Sequence, residues 1–182
     1  MSEKKKVLAI IGSTRANSSN LRLVKCIKNM TSDVFEMIIF NEIDKLPHFN
    51  PDLDKEDPPE RIVHFRNLIS EADGVLICTP EYVFTLPGSL KNALEWCVST
   101  TIFSQKPVGL ITASANGMMG HESLQLVMRT IESKFAEDTT LLISGISGKI
   151  NMENEITHPE TILSIVKFIK KFELILLSAA DK

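Results

Sequence analysis

Cysteine is sparse in this chain, and what there is does not pair. Cys26, Cys78 and Cys97 are odd in number and share no C-x-x-C spacing, which argues against a disulfide framework or a structural zinc site and for a reducing cytoplasm. Long hydrophobic runs are missing too. The polar, basic start Met1–Lys6 leads into Val7–Ile11, too short for the apolar core of a secretory signal. Nothing approaches the ~20 apolar residues of a membrane span, so no membrane partner is expected. Nor is there an excess of charge: a net charge of -3 offers no global attraction for nucleic acid, although a local basic pocket could hold one phosphate.

Several catalytic signatures are absent as well. Neither G-x-x-x-x-G-K-[ST] nor G-x-G-x-x-G occurs, so a P-loop triphosphatase and a standard dinucleotide site lose support. A cysteine phosphatase needs Arg six positions after Cys, and those positions hold Ser32, Phe84 and Phe103. His48, His64, His121 and His158 show no metal-ligand spacing, although His48 and His121 fall in loops that could approach a ligand.

What remains is the pattern of one globular domain, residues 1–182, with 43% hydrophobic and 24% charged residues. Short apolar runs at Lys6–Ile11, Val34–Phe40, Gly74–Thr79, Pro107–Ala113 and Thr139–Ser144 read as buried strands. Helical spacing follows at Leu21–Met30, Glu60–Ala72, Pro87–Ser99, Glu122–Phe135 and Pro159–Leu177. Strands alternating with helices predict a parallel sheet covered on both faces. Asn41–Pro59 is a long Pro- and Asp-rich connection, of the kind that is usually functional or mobile.

In such a sheet ligands bind beyond the carboxyl ends of the strands. The first of those loops, Gly12-Ser13-Thr14-Arg15-Ala16-Asn17-Ser18-Ser19-Asn20, gathers hydroxyls, amides and one guanidinium where a helix begins, a donor set suited to a phosphate dianion. It also reads as a plain capped turn, with Ser18 or Ser19 as the cap and Arg15 in solvent. The loop after the third strand, Thr79-Pro80-Glu81-Tyr82-Val83-Phe84-Thr85-Leu86-Pro87, is partly apolar and limited by two prolines. It could form a shelf for a flat aromatic ligand, or simply pack on itself.

These two segments, together with Gly88-x-Leu90-Lys91-Asn92-Ala93-Leu94-Glu95-Trp96, Leu46-Pro47 and Ala72-Asp73-Gly74, resemble the NAD(P)H-dependent FMN reductases, the flavodoxin-like quinone, azo and chromate reductases. The likeness covers roughly residues 6–145. It implies a flavodoxin-like, doubly wound α/β fold with five parallel strands in the order 2-1-3-4-5. It makes Ser13, Arg15, Ser18 and Asn20, with the Ala16 and Asn17 amides, the cradle of the FMN phosphate. Pro80, Glu81, Tyr82 and Val83 would border the isoalloxazine ring, approached from the fourth strand by Ser114–Gly117.

The resemblance further implies NADH or NADPH as co-substrate, ping-pong hydride transfer through FMN to a quinone or similar small acceptor, and a homodimer or homotetramer. No catalytic acid or base is required, because the flavin carries the chemistry. Two departures stand out: Val83 occupies a position where the family commonly has Asn, and Met118-Met119-Gly120 stands where a Gly-Gly pair is usual. Ser147–His158 matches no family segment. The rival readings are an FMN electron carrier without a nicotinamide site and a flavin-free interaction module on the same fold. For assembly, Leu86, Leu90, Ala93, Leu94 and Cys97 form one stripe, with Trp96 beside it as the expected contact for a partner subunit.

Overall fold

Residues 4–179 are described by the structure, a computed structural model. Five strands, β1 (Lys5–Ile11), β2 (Phe35–Phe40), β3 (Gly74–Thr79), β4 (Val108–Ser114) and β5 (Thr140–Ser144), form one sheet in the order β2-β1-β3-β4-β5. Every pairing is parallel, the arrangement that the alternation of strands and helices predicts. The helices are α1 (Ser19–Met30), α2 (Glu60–Glu71), α3 (Gly88–Glu95), α4 (Met118–Thr130) and α5 (Pro159–Ala179).

The inner strands β1, β3 and β4 are buried over nearly all of their length because both faces are covered, while the edge strands β2 and β5 are partly exposed. Leu8 and Ile10 of β1, Val75 and Ile77 of β3, and Leu110 of β4 meet Ile62, Phe65, Leu90, Leu94 and Leu124 from α2, α3 and α4. The alternate residues Val7, Ala9, Ile11, Leu76, Cys78, Ile111 and Ala113 meet Leu23, Ile27, Ile165, Phe168 and Phe172 from α1 and α5. Gly109 lets α5 lie flat on the sheet, since a Cβ there would come within 2.8 Å of the Phe168 ring.

The long connection after β2 is held down. It carries two 3-10 turns, Ile43–Lys45 and Pro51–Leu53, and buries Ile43 and Leu46. Asn92 Nδ2 and Trp96 Nε1 both donate to the Pro47 carbonyl, at 3.0 and 2.8 Å, and Phe49 N–H donates to Asn92 Oδ1 at 2.7 Å. Trp96 is fully buried, edge-on to Phe49 with ring centroids 5.1 Å apart. The expectation that Trp96 faces a partner subunit is therefore corrected: its indole needs a carbonyl partner when buried, and the long loop supplies one.

Three helix boundaries differ from the sequence pattern by four or more residues, one of them the end of α4, at Thr130 rather than Phe135. α3 ends at Glu95 rather than Ser99, where Arg66 donates to the Trp96 carbonyl. α4 begins at Met118, four residues earlier than its hydrophobic period suggests.

Candidate functional site

The loops after β1, β3 and β4 converge at the carboxyl edge of the sheet. Gly12 N–H donates to the Cys78 carbonyl at 2.9 Å, and a Cβ on Gly12 would lie 2.3 Å from Thr79 Oγ1. Only glycine lets the first loop approach the third strand this closely. The loops of β4 and β5 are joined by Gly145 N–H to the Ala115 carbonyl at 3.1 Å and Ser144 Oγ to the Asn116 carbonyl at 2.7 Å.

Ser18 is the cap of α1, its Oγ accepting from Leu21 N–H at 3.1 Å. Ser13 is buried and its Oγ accepts from Arg15 N–H at 3.4 Å. Thr14, Arg15, Ala16 and Asn17 form the exposed crest between them. Among the described residues, the N–H groups of Ala16, Asn17, Ser19 and Asn20 carry no hydrogen bond within the chain. Open amides at a helix start, two hydroxyls and one guanidinium are the donor set that a phosphate monoester needs, so the turn fits the phosphate end of FMN.

Asn20 sits differently from the others. Its side chain is buried, with Nδ2 donating to the Ala113 carbonyl at 3.1 Å and Oδ1 accepting from Cys78 Sγ at 3.2 Å. It braces α1 against β3 and β4, which leaves its backbone N–H as the group turned to the crest. Burial pushes the Cys78 thiol far above its ordinary range, so it is an inert donor here.

The third-strand loop closes as a two-residue hairpin, Tyr82 N–H to the Thr85 carbonyl at 3.0 Å and the return bond at 3.1 Å. Its central residues, Val83 and Phe84, have φ of 51° and 59° and are 91% and 72% exposed. Leu86, in contrast, turns into the core. Left-handed backbone disfavours a β-branched residue and is well tolerated by Asn, which gives a physical reason for Asn where this chain carries Val83.

Beside the hairpin, Gly117 (φ 95°) opens α4 without a side-chain cap on its own residue. Glu81 provides one from across the site: Gly120 N–H donates to its Oε2 at 2.7 Å and Gly117 N–H to its Oε1 at 3.4 Å. Ser114 Oγ donates to the Glu81 carbonyl at 3.5 Å, and the Thr85 and Ser123 hydroxyls pair at 3.0 Å. His121 packs its Nδ1 on Thr112 Oγ1 at 2.9 Å. Burial pulls the His121 pKa down, against the nearby Glu122 carboxylate. His48 stays exposed on the long loop.

Sequence reasoning gave no role to three participants. Gly120 and Ser123 act only through the third-strand loop, and Arg22 works one turn beyond the phosphate turn. Arg22 Nη2 donates to Ser19 Oγ at 3.2 Å and Nη1 to the Asn151 carbonyl at 2.8 Å, bringing the unmatched stretch after β5 onto α1. That stretch is itself folded, with Ile150 bridging Ile156 and Asn151 Oδ1 accepting from Glu153 and Glu155 N–H. Among the described residues no cluster of His, Cys, Asp and Glu could hold a metal, and no helix is long and apolar enough to cross a membrane.

The family described as NADPH-dependent FMN reductase matches residues 5–146. A quinone reductase of Escherichia coli (strain K12) is 33% identical over 134 residues, 72% of this chain and 71% of that protein. A 2-hydroxy-1,4-benzoquinone reductase of Burkholderia sp is 28% identical over 173 residues, 92% of this chain and 93% of that protein. The solved structure of the flavoenzyme NAD(P)H:(acceptor) oxidoreductase FerB from Paracoccus denitrificans shares the fold, with a TM-score of 0.77 at 23% identity over 96% of this chain and 98% of that one.

Proposed function

The chain belongs to the NADPH-dependent FMN reductase family, and from that premise we propose that it is a ping-pong quinone reductase with loose acceptor specificity. It is an oxidoreductase whose family uses FMN and a nicotinamide. The observation that carries the finer reading is the pairing of two unlike surfaces at one sheet edge: an open turn of amides and hydroxyls, and an exposed apolar hairpin tip beside the start of α4.

Ser13, Arg15, Ser18 and the amides of Ala16, Asn17 and Asn20 would hold the FMN phosphate, while Pro80, Glu81, Tyr82 and Val83 would border the ring, with Ser114 and Gly117 approaching it from the fourth strand. Bound there, FMN supplies the capacity to accept and pass on a hydride. The chain's own part is to orient and to admit. Exposed Tyr82, Val83, Phe84, Met118 and Met119 line the approach with few fixed polar groups, and such walls discriminate poorly between flat acceptors of similar size. Because the nicotinamide and the acceptor would use one approach, each must leave before the other enters.

Residues 1–182 act as one FMN-binding domain in this reading, and its unpaired thiols suit a reducing cytoplasm. The test is the visible spectrum of the purified, FMN-loaded protein before and after anaerobic NADH or NADPH, followed by turnover with several quinones. Bleaching, and parallel double-reciprocal lines with the quinones, support the proposal. A flavin spectrum that neither nicotinamide changes would defeat it and favour an electron carrier.

A further inference from the structure

Resting on the reductase reading, we propose that Glu81 is a positioning residue: by capping α4 it fixes how the Tyr82–Phe84 hairpin stands against the first turn of α4, and so selects acceptors by size.

The geometry assigns this role on four grounds. Both carboxylate oxygens are engaged by α4, at 2.7 Å from Gly120 N and 3.4 Å from Gly117 N. A carboxylate at a helix start meets open N–H groups and the positive end of the helix dipole, so the contact is charge-assisted. Gly120 exists for the same contact, because a Cβ there would fall 2.9 Å from Glu81 Cβ and 3.0 Å from its Cγ. The helix start is meanwhile fixed to the sheet: a Cβ on Gly117 would meet Leu142 at 2.8 Å and Thr112 at 3.2 Å, and His121 sits on Thr112. The third-strand loop meets this fixed start through Glu81, with Thr85 on Ser123 as a second tie. Tyr82 and Val83 follow Glu81 directly in the chain, so whatever shifts Glu81 shifts the hairpin wall, while Met118 and Met119 on the opposite wall stay with α4.

The experiment compares wild type, Glu81→Gln, Glu81→Ala and Gly120→Ala, all loaded with FMN. Amide exchange at Gly120 reports the cap itself. The rate at which dithionite-reduced protein is reoxidised by a benzoquinone and by a bulkier naphthoquinone reports the selection by size, and needs no nicotinamide. Glu81→Ala should speed Gly120 exchange about tenfold, as expected for loss of one charge-assisted bond, and bring the two quinone rates closer together. Glu81→Gln, which keeps an acceptor oxygen, should restore most of the wild-type ratio. Gly120→Ala should change the ratio with the carboxylate still present.

Unchanged Gly120 exchange in Glu81→Ala overturns the inference. So does Glu81→Gln behaving like Glu81→Ala, which would make the charge act on the ring directly, or a quinone ratio that none of the three variants moves. Failure of wild type to oxidise either nicotinamide strikes the reductase reading alone, since both readouts still judge Glu81.

Discussion

Arg15 is the one guanidinium on the phosphate turn, and it stands exposed on the crest. A charge-assisted contact contributes about 1.5–3 kcal/mol, so Arg15→Ala should weaken FMN binding about tenfold or more. Riboflavin, which lacks the phosphate, should bind both proteins alike in a fluorescence titration; equal losses would remove Arg15 from the cradle. Val83 carries a different kind of information, since its β-branched side chain is held at φ 51° with nothing to bury it. Val83→Asn keeps the turn and relieves the backbone strain, and should raise stability by about 1 kcal/mol in urea unfolding. An unchanged or lower midpoint would mean that the tip is not strained.

At the scale of elements, legibility followed burial. The inner strands were readable because a parallel strand covered on both faces becomes a short, continuous apolar run, as β3 shows plainly, whereas the edge strand β2 keeps exposed Glu36 within its run. The start of α4 was not readable, because its cap comes from Glu81, in another loop and 39 residues away from Gly120 in sequence. Trp96 misled for a related reason: its indole is satisfied by Pro47, which no helical period can reveal. The phosphate turn was visible in its composition, yet Asn20 could not be told from its neighbours until β4 was seen beneath it. The stretch after β5 had no periodicity to read, since Asn151 organises it through its own side chain.

The long loop carries a pH prediction at the same scale. Asp54, with a side chain only 4% exposed, pairs with Arg66 at 2.6 Å and accepts from Ser99 Oγ at 2.6 Å. Burial works to raise its pKa, but the bonds from Ser99 and Arg66 and the guanidinium charge outweigh it and hold the carboxyl below its ordinary value. The folded state thus binds the proton less readily than the unfolded chain. The resulting stability is present above about pH 4, the ordinary aspartate range, and is lost as pH falls through the folded value. Asp54→Ala should cost about 2–3 kcal/mol at pH 7 in denaturant unfolding, shrinking toward low pH. A loss that stays constant with pH would argue for packing alone.

For the whole molecule, the case for a homo-oligomer moves from Trp96 to the outer surface. Leu126 on α4 is 65% exposed, on the same helix as exposed Met118 and Met119, and exposed apolar side chains of this kind mark contact sites when they cluster. Light scattering at micromolar concentration should give a dimer or tetramer, and Leu126→Glu should shift it toward monomer; a monomeric wild type would reject the assembly. Arg22 has a consequence of its own. It joins the start of α1 to the connection between β5 and α5, 129 residues apart in sequence, so the two segments are coupled. Any anion that steadies Ser19 also steadies the segment ahead of α5, and ligand-linked stability spreads from the amino-terminal turn to the far end of the chain.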